Sequence, residues 1–98
     1  PKEDYSNRWL SVVRINPNKT NITASFLIKT LKEKNIELRH VWKPMHLQPL
    51  FLSSTYFKHS NESFCDDLFN TSVCLPSASN MNREQQKTVI SEILNVLT

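Results

Sequence analysis

Apolar and polar positions alternate along this chain in blocks that change period several times. Residues 9–15, Trp-Leu-Ser-Val-Val-Arg-Ile, are largely apolar and carry two adjacent β-branched valines, which predicts a strand. Asn16-Pro17-Asn18 ends it with turn chemistry. From Ala24 to Lys34 the period lengthens. Phe26, Leu27, Leu31 and, less centrally, Ile28 form one stripe while Lys29, Lys32 and Glu33 face out, which predicts an amphipathic helix with Thr23 as its N-cap. Lys32 and Lys34 suit the negative end of that helix. Asn35 stands where a glycine would commonly end it, and asparagine is the next-best residue for the left-handed turn.

Ile36 to Val41 alternates again and predicts a second strand. Lys43 precedes a proline and is biased away from helix, so residues 42–49 read as an ordered, extended loop leaving a strand end. Residues 52–62 are polar and weakly patterned, as in a surface loop. Ser63 with Asp66 three positions on resembles a capping box. It would open a short helix from Phe64 to about Asn70 that buries Phe64, Leu68 and Phe69. Val73-Cys74-Leu75 reads as a third short strand, stopped by Pro76. Asn82 with Gln85 caps a final helix, whose apolar face is Val89, Ile90, Ile93, Leu94 and Leu97. The order of elements predicts an α+β fold: a small three-stranded, mainly antiparallel sheet with helices packed on one face.

Length adds that 98 residues make a single domain, with enough chain for one modest core. No apolar run approaches a membrane span, and residues 1–9 have no apolar signal core. The net charge is +3, and the segment 29–43 carries the whole excess: Lys29, Lys32, Lys34, Arg39 and Lys43 against Glu33 and Glu37. Such a mixed face is usually solvated, and nucleic-acid footprints are usually more basic. Glycine is absent, so any left-handed backbone position must be filled by another residue at some cost. Sequons begin at Asn18, Asn21, Asn61 and Asn70. In a chain this rich in Asn, Ser and Thr, and without a secretory signal, coincidence accounts for much of that number.

Candidate chemistry is sparse. Cys65 and Cys74 are too few for a disulfide framework and fit no common zinc spacing, so buried structural thiols are the plain reading. His40 and His46 are not spaced as a helical metal pair, and a Gly-rich phosphate loop cannot exist without glycine. Asp66-Asp67 suits first-turn helix charge. The segment 39–51, Arg-His-Val-Trp-Lys-Pro-Met-His-Leu-Gln-Pro-Leu-Phe, is richer. Trp42 offers a flat apolar face, Arg39 and Lys43 offer cations, and His46 a donor or acceptor. The set suits a phosphorylated, ring-containing ligand, although composition alone favours a core tryptophan among solvated cations.

Three stretches, SNRWL at 6–10, NIELRHVWKPMHLQPLF at 35–51 and DDLFNTSVCLPSASNMNREQQKTVISEI at 66–93, resemble in order and spacing the C-terminal part of the DegT/StrS family. These are fold-type-I, pyridoxal-phosphate-dependent aminotransferases acting on nucleotide-linked keto-sugars, precursors for cell-surface polysaccharide or glycan synthesis. The resemblance implies that residues 1–98 form the small C-terminal domain of a longer enzyme. A large N-terminal domain, absent from this chain, would hold pyridoxal phosphate and its lysine, so no catalytic residue, cofactor-binding residue or metal ligand is carried over. It implies substrate-side roles for Trp42, Lys43, Met45 and His46. It further implies an amino-acid donor, a homodimeric and cytoplasmic parent, and neither nucleic acid nor membrane as partner. Asn35, Ser72 and Ala78 stand where the family often has glycine, which puts local turn geometry at Ala78 in doubt. The alternative is a small basic module that binds nucleic acid or a nucleotide through Trp42 and the cations of 29–43. A secreted domain with a Cys65–Cys74 disulfide is a third.

Overall fold

The computed structural model describes residues 4–59, 61 and 63–98. Its elements are β1 (Val12–Arg14), α1 (Ala24–Lys32), β2 (Arg39–His40), α2 (Phe64–Thr71), β3 (Ser72–Cys74) and α3 (Arg83–Leu97), with two 3₁₀ turns at Met45–Leu47 and Pro49–Phe51. The sheet has the order β1-β3-β2, with β3 central and both pairings antiparallel. The expected α+β architecture, a small three-stranded antiparallel sheet with helices, is therefore present.

All three β3 residues are buried, and Val73 is fully so. Val13 and His40 both pair with Val73, so the three share the sheet face that carries the core. On that face Ile15, Ala24, Leu27, Leu31, Ile36 and Leu38 close around Val73, with Val89, Ile93 and Val96 of α3 packed against them. Two hydrogen bonds extend the ladder past the ends of β1: Ile15 N–H to the Thr71 carbonyl at 2.8 Å and Leu75 N–H to the Ser11 carbonyl at 2.9 Å. The expected strand 9–15 thus pairs over 11–15, while Trp9 and Leu10 lie outside the ladder.

The helix termini follow the sequence closely. Thr23 Oγ1 accepts from Phe26 N–H at 3.1 Å, and Ser63 Oγ from Asp66 N–H at 3.4 Å. Asn82 and Gln85 make a reciprocal capping box at 2.8 and 2.9 Å. Asn35 has φ 58°. Around it Asn35 N–H donates to the Lys32 carbonyl and Ile36 N–H to the Leu31 carbonyl, each at 3.0 Å. That is a Schellman motif built without glycine. Ala78 needs no left-handed backbone: its carbonyl accepts from Met81 N–H at 3.0 Å in a turn, and among the described residues only Arg8 and Asn35 have positive φ.

Several expectations are corrected. The second strand is only Arg39–His40. Ile36 and Leu38 do point inward, but β3 is too short to pair with them and Ile36 N–H already serves the end of α1. Residues 42–49 are not simply extended. Pro44 and Pro49 set φ for two 3₁₀ turns, closed by Leu47 N–H to Pro44 and Phe51 N–H to Gln48. Phe64 is 67% exposed at the start of α2. Ile90, Leu94 and Phe26 are about half exposed, because a sheet with two- and three-residue strands is narrower than the apolar stripes facing it.

The accessible surface is 8389 Å². A compact monomer of 11.4 kDa would show about 5,800 Å². The radius of gyration, 15.9 Å, likewise exceeds the roughly 13 Å of a compact domain of this length. The core is therefore small for the surface it must hold together.

Leu31 has no exposure and Leu50 has 80%. In chemical denaturation Leu31→Ala is expected to cost about 2–5 kcal/mol, enough to unfold a chain with so small a core, whereas Leu50→Ala is expected to stay within about 0.5 kcal/mol of the parent.

Candidate functional site

Two hollows flank the segment 39–51. The larger, about 840 Å³, lies beside the end of β3 and the first turns of α3. The smaller, about 200 Å³, lies between the first 3₁₀ turn and residues 54–56.

Trp9 and Trp42 dominate the larger hollow. Their ring centroids are 5.5 Å apart at 48°, and both remain well exposed. The contact needs two departures from regular strand. Ser6 Oγ accepts from Arg8 N–H at 3.2 Å, and Asn7 Oδ1 from Trp9 N–H at 3.1 Å, which holds Arg8 at φ 52° and turns the chain before β1. Past His40 the chain leaves the ladder and Trp42 swings over the same hollow. Arg39, His40, Lys34 and Glu37 supply the charged and polar lining. Arg39 pairs with Glu37 at 2.8 Å on the surface, where such a pair contributes little, and Lys34 pairs with Glu92 of α3. His40 Nε2 lies 3.3 Å from Ser25 Oγ, which ties β2 to α1.

Cys74 also borders this hollow. Burial pushes its thiol up from the ordinary range, since a thiolate there would lose solvation. Cys65 is exposed at the start of α2, and both thiols are free, against a Cys65–Cys74 disulfide. The expected burial of cysteines holds for Cys74 only.

Met45 and His46 belong to the smaller hollow. The His46 ring stacks on Tyr56, with centroids 3.8 Å apart and planes within 9°. Its Nε2 lies 2.8 Å from Asp66 Oδ1. Both atoms are sealed from solvent, the approach is not aligned as a hydrogen bond, and neither has another partner among the described residues. Asp66 occupies the first turn of α2, where the helix also stabilises its carboxylate. Tyr56 Oη in turn lies 3.2 Å from Ser63 Oγ, the cap of α2. The pair thus clasps the 3₁₀ segment to the start of α2.

The four residues singled out in the sequence do not converge on one hollow. Trp42 lines the larger, Met45 and His46 the smaller, and Lys43 borders neither. The Lys43 carbonyl accepts from Gln48 Nε2 at 3.1 Å, and its ammonium has no carboxylate partner among the described residues. Trp9, Tyr56 and Asp66 are not site candidates in the sequence: Asp66 reads there as helix-start charge, and Trp9, far from Trp42 along the chain, reads as the first residue of a strand. Among the described residues no three His, Cys, Asp or Glu side chains converge as metal ligands do, and no helix is long and apolar enough to cross a membrane.

Residues 1–94 match the profile of the DegT/DnrJ/EryC1/StrS aminotransferase family. The chain belongs to that family. It is 39% identical over 92 residues to EpsN of Bacillus subtilis (strain 168), a protein named for pyridoxal phosphate-dependent aminotransferase activity. The match takes in 93% of this chain and 23% of EpsN. Its fold is similar to that of Helicobacter pylori PseC, an aminotransferase involved in the biosynthesis of pseudoaminic acid. The TM-score is 0.73 at 16% identity, over 90% of this chain and 23% of PseC. The chain therefore spans about a quarter of the length of either relative.

Two outcomes follow from the clasp and the thiols. Asp66→Ala removes the carboxylate that faces the sealed His46 ring nitrogen, so it is expected to cost about 1–3 kcal/mol and to speed amide hydrogen exchange at Leu47, Gln48 and Phe51 ahead of the core. A disulfide-exchange reagent at neutral pH is expected to label Cys65 quickly. Cys74 should lag, and should catch up only as pH rises, because its raised pKa delays the thiolate.

Proposed function

We propose that this chain is the C-terminal small domain of a pyridoxal-phosphate-dependent aminotransferase that acts on a nucleotide-linked keto-sugar. The observation that carries the reading is the family match over nearly the whole chain, set against its coverage of about a quarter of EpsN and PseC. The excess exposed surface supports it, since a domain that packs against further protein leaves such a face when considered alone.

The residues here do not fit pyridoxal phosphate by themselves. The lysine that lines the larger hollow, Lys34, has its ammonium engaged by Glu92. The cofactor and its lysine are assigned to a larger domain of the parent, and no step of amino transfer is derived from this chain. Trp42, Lys43, Met45 and His46 contribute the substrate-side surface: Trp42 as wall, Lys43 as a cation for phosphate or carboxylate, Met45 as packing and His46 as a ring held by Asp66 and Tyr56. An amino-acid donor, a homodimeric parent and a cytoplasmic location complete the reading. The alternative, a nucleic-acid or nucleotide-binding module, is weakened by the pairing of Lys34 with Glu92, which engages one of the five cations of 29–43.

The test is carried out on the natural protein that contains this chain, purified with pyridoxal phosphate and assayed for glutamate-dependent amination of nucleotide keto-sugars. Lys43→Ala and His46→Ala are each expected to lower kcat/KM by about tenfold or more while the cofactor absorbance is retained. An active enzyme indifferent to both changes removes the substrate-side assignment, and a protein without cofactor absorbance removes the reading as a whole.

A further inference from the structure

We infer that Asp66, together with Tyr56, is a positioning residue for Lys43. The two hold the His46 ring and, through it, the turn that sets where the Lys43 ammonium stands. The role rests on the reading above, in which Lys43 meets a phosphate or carboxylate of the substrate.

Residues 43–48 form one stiff unit. Leu47 N–H donates to the Pro44 carbonyl and Gln48 N–H to the Met45 carbonyl, each at 3.0 Å. Gln48 Nε2 donates back to the Lys43 carbonyl at 3.1 Å, so the turn closes on the residue ahead of its proline. Pro44 is buried inside it and its ring fixes φ. A displacement at His46 is therefore passed on to Lys43, three residues away, because no soft dihedral between them is left unrestrained.

The unit needs an anchor, since the ladder behind it ends at His40. Among the described residues, the polar side-chain contact that leaves the unit is His46 Nε2 to Asp66 Oδ1, at 2.8 Å. Both atoms are sealed from solvent, and the His46 side chain is 16% exposed. A ring nitrogen enclosed against a carboxylate cannot meet a ligand without breaking that contact, so Nε2 serves the turn. Lys43, by contrast, is exposed. Tyr56 holds the face of the same ring, 3.8 Å away, and its Oη lies 3.2 Å from Ser63 Oγ, the cap of α2. Asp66 grips the edge of the ring from the first turn of that helix. Asp67, in the same turn, directs its carboxylate to Arg14 of β1 at 2.6 Å instead. Two neighbouring acids thus do different work: one ties α2 to the sheet and the other ties α2 to the Lys43 turn.

That division can be tested by a double-mutant cycle in the natural protein that contains this chain, with kcat/KM normalised to cofactor absorbance. Asp66→Ala is expected to lower kcat/KM about fivefold when Lys43 is present, and less than about twofold when Lys43→Ala is already in place. The split of the loss between kcat and KM should copy that of Lys43→Ala, because the same cation is displaced. Asp66→Glu, which keeps a carboxylate within reach of the ring, should restore most of the coupling. Asp67→Ala is expected to lower the unfolding midpoint and to leave kcat/KM within about twofold of the parent.

Equal losses from Asp66→Ala with and without Lys43 would overturn the inference. So would an Asp67→Ala loss that matches the Asp66→Ala loss, since lowered stability would then account for both. If Asp66→Ala does not fold, Tyr56→Leu, which removes the stacked face and leaves the carboxylate, goes through the same cycle with the same expectation. The two readings fail apart. An enzyme indifferent to Lys43→Ala removes the substrate-side role of Lys43 and the positioning with it. An enzyme that needs Lys43 but shows additive losses removes the positioning alone.

Discussion

Everything in this fold hangs on three buried residues, Ser72, Val73 and Cys74. The central strand they form supplies backbone partners to both of its neighbours, and among the described residues neither neighbour has any other strand to pair with. It starts directly at the end of α2 and is stopped by Pro76, so it cannot lengthen. That limit fixes the width of the sheet, and the narrow sheet fixes how much of the helices it can cover. Val73, with no exposure, is where sheet and α1 meet, and the rest of the core is arranged around it.

The same limit produces the site. Because β2 pairs for only two residues, the chain after His40 is free of the ladder, and two prolines fold it into 3₁₀ turns instead of an extended run. Trp42 is released toward Trp9, while Met45 and His46 are carried to the start of α2. A longer β3 would have kept Trp42 in register and away from Trp9. The geometry of the segment is thus a consequence of where pairing runs out, with the Asp66 and Tyr56 contacts holding what pairing does not.

The core is small, and the half-exposed apolar residues of α1 and α3 are not errors of the helices themselves. Phe26, Ile90 and Leu94 continue stripes that begin in the core and run past its edge. A helix that carries more apolar face than its own sheet can cover is what the proposed place within a longer aminotransferase calls for.

Much of this was legible in the sequence because local physics decides it. Thr23, Ser63 and Asn82 cap their helices through side-chain oxygens three residues from the amide they accept, a contact no distant residue can alter. Asn35 ends α1 through its own left-handed backbone, which is equally local, and the three strands follow from β-branched and alternating runs. The family likeness also rests on contiguous stretches. Only the tertiary structure could decide the lengths of the strands, since pairing depends on how much partner is present. It alone could decide that Phe64, Ile90 and Leu94 stay outside, since burial depends on the width of the opposing surface. It alone joined Trp9 to Trp42 and His46 to Asp66, because residues so far apart in sequence meet only once the chain between them has folded.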